Sequence, residues 1–182
     1  MWDAVGALQG KYGFLETGLW RTIENGFHAL AIDEHRLKFA PTLWTRNIHK
    51  PPQPGVAAVR SLASVEQRWF VGAHANVGGG YSSDLLAQPS LRWLMSKAAA
   101  LGLGFREEVA DEERLHDAPV NDSFREMGGG VNYFSRLGRP YLRIPGVPDI
   151  MTPDLVIETI NETIDASVFQ RWRQNATIGR AT

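Results

Sequence analysis

Arg68-Trp69-Phe70-Val71-Gly72-Ala73-His74-Ala75-Asn76-Val77-Gly78-Gly79-Gly80-Tyr81 is the stretch from which the fold is read. Gln67 to Gly72 has the aromatic and β-branched content of a buried strand. Gly78 to Gly80 form a tight turn, because consecutive glycines reach backbone angles that other residues avoid. His74 lies between the two. The order strand, histidine, glycine turn, helix sets one imidazole on a loop at the C-terminal end of a strand. Open α/β sheets carry their chemistry on such loops.

Downstream, Leu91, Leu94, Met95, Ala98 and Leu101 recur at helical spacing, with Pro89 in the first turn and Gly102 where a left-handed cap closes a helix. Upstream, Leu19, Ile23, Phe27 and Leu30 recur every three or four residues, which predicts a helix from Leu19 to about Arg36. Gly26 within it costs about 1 kcal/mol against alanine, and close packing would account for it. Residues 1–5 read as the end of a strand and residues 6–18 as a loop. The prolines and glycine of residues 45–57 predict an irregular exposed loop. After an acidic, solvated run from Glu107 to Glu113 come loops at Gly128 to Gly130 and from Pro140 to Pro153, the latter around a short strand at Tyr141 to Ile144. A helix or strand near Leu155 to Ile160 and a helix from Ala166 to Arg173 complete the chain. No repeat and no long linker divides it. Residues 1–182 are one unit, and its class is α/β.

With 182 residues, such a unit buries roughly 70% of its unfolded surface. A net charge of −1 gives no field that would draw nucleic acid or an anionic membrane. The absence of cysteine excludes disulfides, thiolate catalysis and zinc–thiolate sites. The run from Leu91 to Phe105 is broken by Arg92, Ser96 and Lys97, so no segment reads as a transmembrane helix. The N-terminus has no signal-peptide pattern.

His74 is the candidate general base. A neutral imidazole accepts a hydroxyl proton near pH 7 if a carboxylate holds its other nitrogen. Asp3 is the matching acid, since it follows an apolar start and precedes a turn. Each has a structural alternative: a buried histidine for His74, a turn former for Asp3. A serine partner would sit in Gly-x-Ser-x-Gly. Ser61, Ser64, Ser82, Ser83, Ser90, Ser96, Ser123, Ser135 and Ser167 all lack that context, and Gly80-Tyr81-Ser82-Ser83-Asp84 fails at the second glycine. His28, Asp33 and His35 allow a metal-hydrolase reading, but the histidines are seven apart, whereas metal pairs on helices sit three or four apart. Gly78 to Gly80 are not followed by the Gly-Lys-Ser/Thr of a phosphate cradle. The six tryptophans, spread along the chain, read as core or pocket walls.

Three collinear segments resemble motifs of one bacterial family. Trp2-Asp3-Ala4-Val5-Gly6 resembles its Trp-Asp-Thr-Val-Gly. His28-Ala29-Leu30-Ala31-Ile32-Asp33-Glu34, with Phe39 and Pro41-Thr42-Leu43-Trp44, is similar to its His-Ala-Leu-Ala-x-Asp-Glu and Phe-x-Pro-Thr-x-Trp. Trp69 to Tyr81, with Leu91 to Met95, is similar to its Trp-Phe-x-Gly-x-His-x-x-Val-Gly-Gly-Gly-Tyr segment and following helix. Ala166-Ser167-Val168 and Arg171 give a weaker match. The family that these segments resemble is the α/β-hydrolase domain that includes class-one type VI secretion phospholipase effectors.

The resemblance implies a serine esterase or phospholipase, with catalytic residues at Asp3 and His74, no cofactor and no metal. It implies the C-terminal portion of an α/β-hydrolase fold, a truncated parallel sheet flanked by helices, whose N-terminal half with the nucleophile elbow lies outside these residues. The chain alone is then expected to be inactive. Its partners would be a lipid or other ester in the intact domain and a separately encoded first half, with cytoplasmic synthesis and delivery by a secretion system. The alternative is a non-catalytic remnant or interaction module on a hydrolase scaffold, with an exposed sheet edge that favours pairing with another chain.

Overall fold

A computed structural model describes residues 1–5, 19, 22–47, 62–82, 85–109, 118–126, 140–146 and 157–178. The loops expected at residues 6–18, 48–57, 128–130 and 147–153 lie outside the described residues, as does the acidic run beyond residue 109.

The centre is a parallel sheet. Strand β1 (Gly26–Ala31) pairs with β3 (Val65–Phe70) in the register Ala29↔Arg68 and Ala31↔Phe70. β3 pairs in turn with β5 (Glu162–Ile164). On the far side of β1, Asp3 N–H donates to Ala29 O at 2.6 Å and Ala29 N–H to Met1 O at 3.0 Å, so residues 1–3 form the outer edge, parallel to β1. The strand end read at residues 1–5 is present as this bridge. A separate antiparallel pair joins β2 (Thr45–Asn47) to β4 (Ile157–Thr159). β2 thus occupies the start of what the prolines suggested was all loop.

The helix expected over Leu19 to Arg36 is not there; its centre is strand β1. Ala29, Leu30 and Ala31 are completely buried, as is His28. A parallel strand covered on both faces reads as a continuous apolar run, which periodicity alone does not separate from a helix. The four-residue spacing of Leu19, Ile23 and Phe27 was coincidence, and Ile23 is exposed. Gly26 does have a packing role: a Cβ there would stand 2.9 Å from Leu19 and 3.2 Å from the Trp44 ring.

Odd-numbered β1 residues face the long helix α2 (Ala87–Ala100). Ala29, Ala31 and Phe70 form one apolar cluster with Val77 and Trp93, and the Trp93 ring meets those of Phe27 and Phe70. α2 ends as the sequence suggests. Gly102 has φ +93, and Leu103 N–H donates back to Ala98 O at 3.1 Å. Behind the sheet, buried Gln67 accepts from Trp44 N–H at 2.7 Å and donates to Trp44 O and Ile160 O, joining the parallel sheet to the flanks of the β2–β4 pair. Trp44, Trp69 and Trp93 are core residues, whereas Trp2 and Trp172 are exposed.

Three further α-helices are found among the described residues: α1 (His74–Gly78), α3 (Ser123–Glu126) and α4 (Ala166–Ile178). Val168 of α4 packs on the cluster of Val71, Leu86 and Ala118. The Ala166 helix was legible in the sequence, but the strand expected at Tyr141 to Ile144 is not formed. In that segment Tyr141 N–H donates to His35 O, and the Arg143 side chain anchors it to Ala31 O. No helix among the described residues is long and apolar enough to cross a membrane.

Candidate active site

Parallel strands put their carboxyl ends on one side, and three of the chain segments that leave the sheet there build the site: Asp3, the turn after β1, and the turn after β3. The two turns are zipped together. Ile32 N–H donates to Phe70 O, Asp33 N–H to Gly72 O, and Gly72 N–H to Asp33 Oδ2 at 2.8 Å. Gly72 has φ +118, and a Cβ there would come within 2.4 Å of the Asn76 Cβ, so the turn requires glycine. Asn76 Oδ1 accepts from Ala73 N–H and fixes the start of α1, whose first residue is His74. Gly79 and Gly80, at φ +85 and +117, then turn the chain away.

His74 Nδ1 lies 2.7 Å from Asp3 Oδ2, across 71 residues of sequence. The carboxylate accepts the Nδ1 proton, which leaves Nε2 as the basic nitrogen of the ring. The Asp3 side chain is completely buried, while that of His74 is one-third exposed. The ring also meets the edge of Phe39, centroids 5.2 Å apart. Asp3 itself has φ +33, a left-handed conformation that aspartate tolerates better than most residues. It is held there by its own N–H on Ala29 O, by Ala4 N–H on His28 Nε2 at 2.9 Å, and by Thr42 N–H on Ala4 O.

Sequence reasoning missed two charged residues of the site, Arg143 and Glu34. Arg143 donates to both Asp3 oxygens, at 2.5 and 3.1 Å, and to the carbonyls of Ala31 and Phe39. Ala31 N–H supplies a further bond to Asp3 Oδ1. Burial by itself disfavours the Asp3 anion, but the bonds from His74, Arg143 and Ala31 outweigh it and hold the carboxyl below its ordinary value. Glu34 accepts the His74 backbone N–H at 3.1 Å, so a carboxylate caps the helix that bears the imidazole. It also binds Arg36 through two guanidinium nitrogens at 2.8 Å and Ser123 Oγ at 2.9 Å. Burial works against its ionisation too, and Arg36 in particular reverses the balance. A lone arginine in a proline- and glycine-flanked stretch carries no sequence signal for such a role. For Glu34 the only pointer was its place in the His-Ala-Leu-Ala-x-Asp-Glu motif.

The metal-site candidates are otherwise engaged. His28 Nε2 accepts Ala4 N–H, Asp33 Oδ2 accepts Gly72 N–H, and His35 Nδ1 faces Tyr141 O at 3.0 Å. No metal-binding cluster of histidine and acidic residues occurs among the described residues. His49 and His116 lie outside the described residues. Four of the serine hydroxyls are spent on other acceptors: Ser64 on Glu24 O, Ser90 on Val77 O, Ser96 on Trp93 O and Ser123 on Glu34.

Residues 1–97, more than half of the chain, match the family model described as T6SS, Phospholipase effector Tle1-like, catalytic domain. The chain belongs to this family. The family's segment contains both Asp3 and His74, together with Glu34 and Arg36, while Arg143 lies beyond it. Membership of the Tle1-like family places the chain among phospholipase-type hydrolases of type VI secretion. Comparison with the curated proteins and with the solved structures returns no match.

His28, one strand below the pair, gives the site an acid limit. Burial drives its pKa down to about 4 from an ordinary value of 6.5. The unfolded chain takes up this proton near pH 6.5 and the folded chain only near 4. Between those values the unfolded state binds more protons, so stability falls as pH falls, by about 3 kcal/mol in total. Protonation would also remove the acceptor that Ala4 N–H uses beside Asp3. Urea midpoints measured from pH 7 down to 4.5 are expected to show this slope in the parent chain and a shallower one in His28→Gln.

Proposed function

We propose that these residues supply the acid and the base of a serine-type phospholipase on an α/β-hydrolase fold, and that the nucleophilic serine comes from a polypeptide segment other than residues 1–182. The reading is carried by the 2.7 Å contact between Asp3 and His74 at the carboxyl end of a parallel sheet. Family membership supports the ester of a membrane lipid as substrate and delivery by a secretion system. Residues 1–182 are then part of a hydrolase domain, with the serine-bearing strand added beside the edge formed by residues 1–3.

In this scheme the serine hydroxyl attacks the ester carbonyl while His74 Nε2 takes its proton. Asp3 stabilises the imidazolium that forms. Collapse of the tetrahedral intermediate breaks the bond to the leaving alkoxide, which receives the proton from His74 and leaves an acyl-serine. Water then attacks the acyl-serine through the same base, and the fatty acid departs. Glu34, on the His74 backbone N–H, keeps α1 in place through both steps.

The test uses phosphatidylethanolamine/phosphatidylglycerol vesicles and a pH-stat to read fatty-acid release. The chain alone is expected to release none. Fused to, or mixed with, a Gly-x-Ser-x-Gly-bearing half from a family member, it is expected to turn the lipid over and to direct a fluorophosphonate label to the added serine. Turnover by the chain alone, abolished by His74→Ala, or a label within residues 1–182, would overturn the proposal.

A further inference from the structure

We propose that Arg143 is the positioning residue of the acid–base pair: its guanidinium fixes the Asp3 carboxylate in the orientation that meets His74 Nδ1. Its catalytic consequence rests on the function proposed above, but the positioning itself does not. The Arg143 and Asp3 side chains are both completely buried, and the residues stand 140 apart in sequence. Both terminal nitrogens of Arg143 are used twice. Nη1 spans Asp3 Oδ1 and Ala31 O, and Nη2 spans Asp3 Oδ2 and Phe39 O. One planar group thus gauges three things at once: the carboxylate, the end of β1, and the backbone of the residue whose ring lies against His74.

The carboxylate has no freedom left. Oδ1 is filled by Ala31 N–H and Arg143, and Oδ2 by His74 and Arg143. Rotation about the Cβ–Cγ bond would break four bonds together. A lysine, as a point charge on a flexible stem, could satisfy one oxygen but not set the plane. Among the described residues, the titratable and charged groups around Asp3 are His74 from α1, Arg143 from its loop and His28 from β1, with Glu34 on the His74 backbone and the Met1 amine acting on His28. Of these, Arg143 is the permanent cation. Without it, desolvation is opposed only by His74 and the Ala31 N–H, and the carboxyl takes up a proton at higher pH.

The readout is the downfield ¹H resonance of His74 Nδ1–H in the ¹⁵N-labelled chain, assigned by its loss in His74→Gln and followed as pH is lowered. Its acid limit is expected to move up by at least one pH unit in Arg143→Met, and by a smaller amount in Arg143→Lys. The indole resonance of Trp69, whose Nε1–H is bonded to Glu162 at 2.7 Å on the far strand, is the control for a general loss of structure and is expected to stay unchanged. A His74 signal that survives over the parental pH range in Arg143→Met would overturn the proposal. If that variant does not fold, Arg143→Lys decides: a narrower range supports positioning, the parental range overturns it. No substrate enters the measurement, so failure of the lipid assay leaves this result standing, and failure here leaves the lipid assay intact.

Discussion

Asp3→Ala is expected to destabilise the chain by about 3–5 kcal/mol, read as a lower urea midpoint at pH 7, because it leaves a guanidinium buried with no counter-charge. The loss is large against the 5–15 kcal/mol that holds typical domains together. Arg143 is completely buried and cannot recover water without opening the loop of residues 140–146. Its remaining partners, the Ala31 and Phe39 carbonyls, are neutral acceptors. The Ala31 N–H loses its acceptor as well. Asp3→Asn, which keeps an oxygen for Ala31 or Arg143, is expected to lose less. The double variant Asp3→Ala with Arg143→Met is expected to be more stable than the sum of the single losses, because it removes the orphaned charge. Strict additivity would mean that the two groups are not energetically coupled, whatever their separation.

The same carboxylate explains how far this molecule is legible in its sequence. Gln67 to Gly72 and the helix ending at Gly102 were readable because each carries local punctuation: a glycine turn, a cap and a periodic face. β1 was not, because a strand covered on both faces shows no alternation, and the run Phe27-His28-Ala29-Leu30-Ala31, in line with Leu19 and Ile23, fits a helical stripe as well as a buried strand. The positions of Asp3 and His74 at strand ends followed from the residues that flank them, and the structure sets the two side chains in contact. Arg143 and Glu34 stayed hidden for a different reason. Their places in the site are set by contacts across 140 and 40 residues, an ion pair for Arg143 and a bond from the His74 backbone N–H for Glu34, and no local pattern encodes contacts of that separation. The short stretch at Tyr141 to Ile144 was read as a strand because its residues suit one, yet a side-chain anchor takes the place of a ladder.

The largest effect expected is on turnover. In the assembly that holds the added serine, His74→Ala is expected to lower kcat on the vesicle lipid by about 10⁴–10⁶-fold, the range seen when the base of a serine triad is removed. KM should change little, since in the proposed mechanism the imidazole acts on the proton of the nucleophile and not on the bound lipid. Stability should change little as well. The side chain is one-third exposed, its principal contacts are Asp3 and the Phe39 edge, and Arg143 still neutralises Asp3 when the ring is gone. That separation makes the variant informative. Asp3→Ala lowers both rate and stability and so cannot distinguish a catalytic acid from a structural one, whereas His74→Ala is expected to keep the fold and remove the imidazole. A folded His74→Ala assembly that retains parental kcat would show that the imidazole is not the base. The buried Asp3–Arg143 pair would then be architecture, and the surface formed by residues 1–3 and the glycine turn would have to be explained by what it binds.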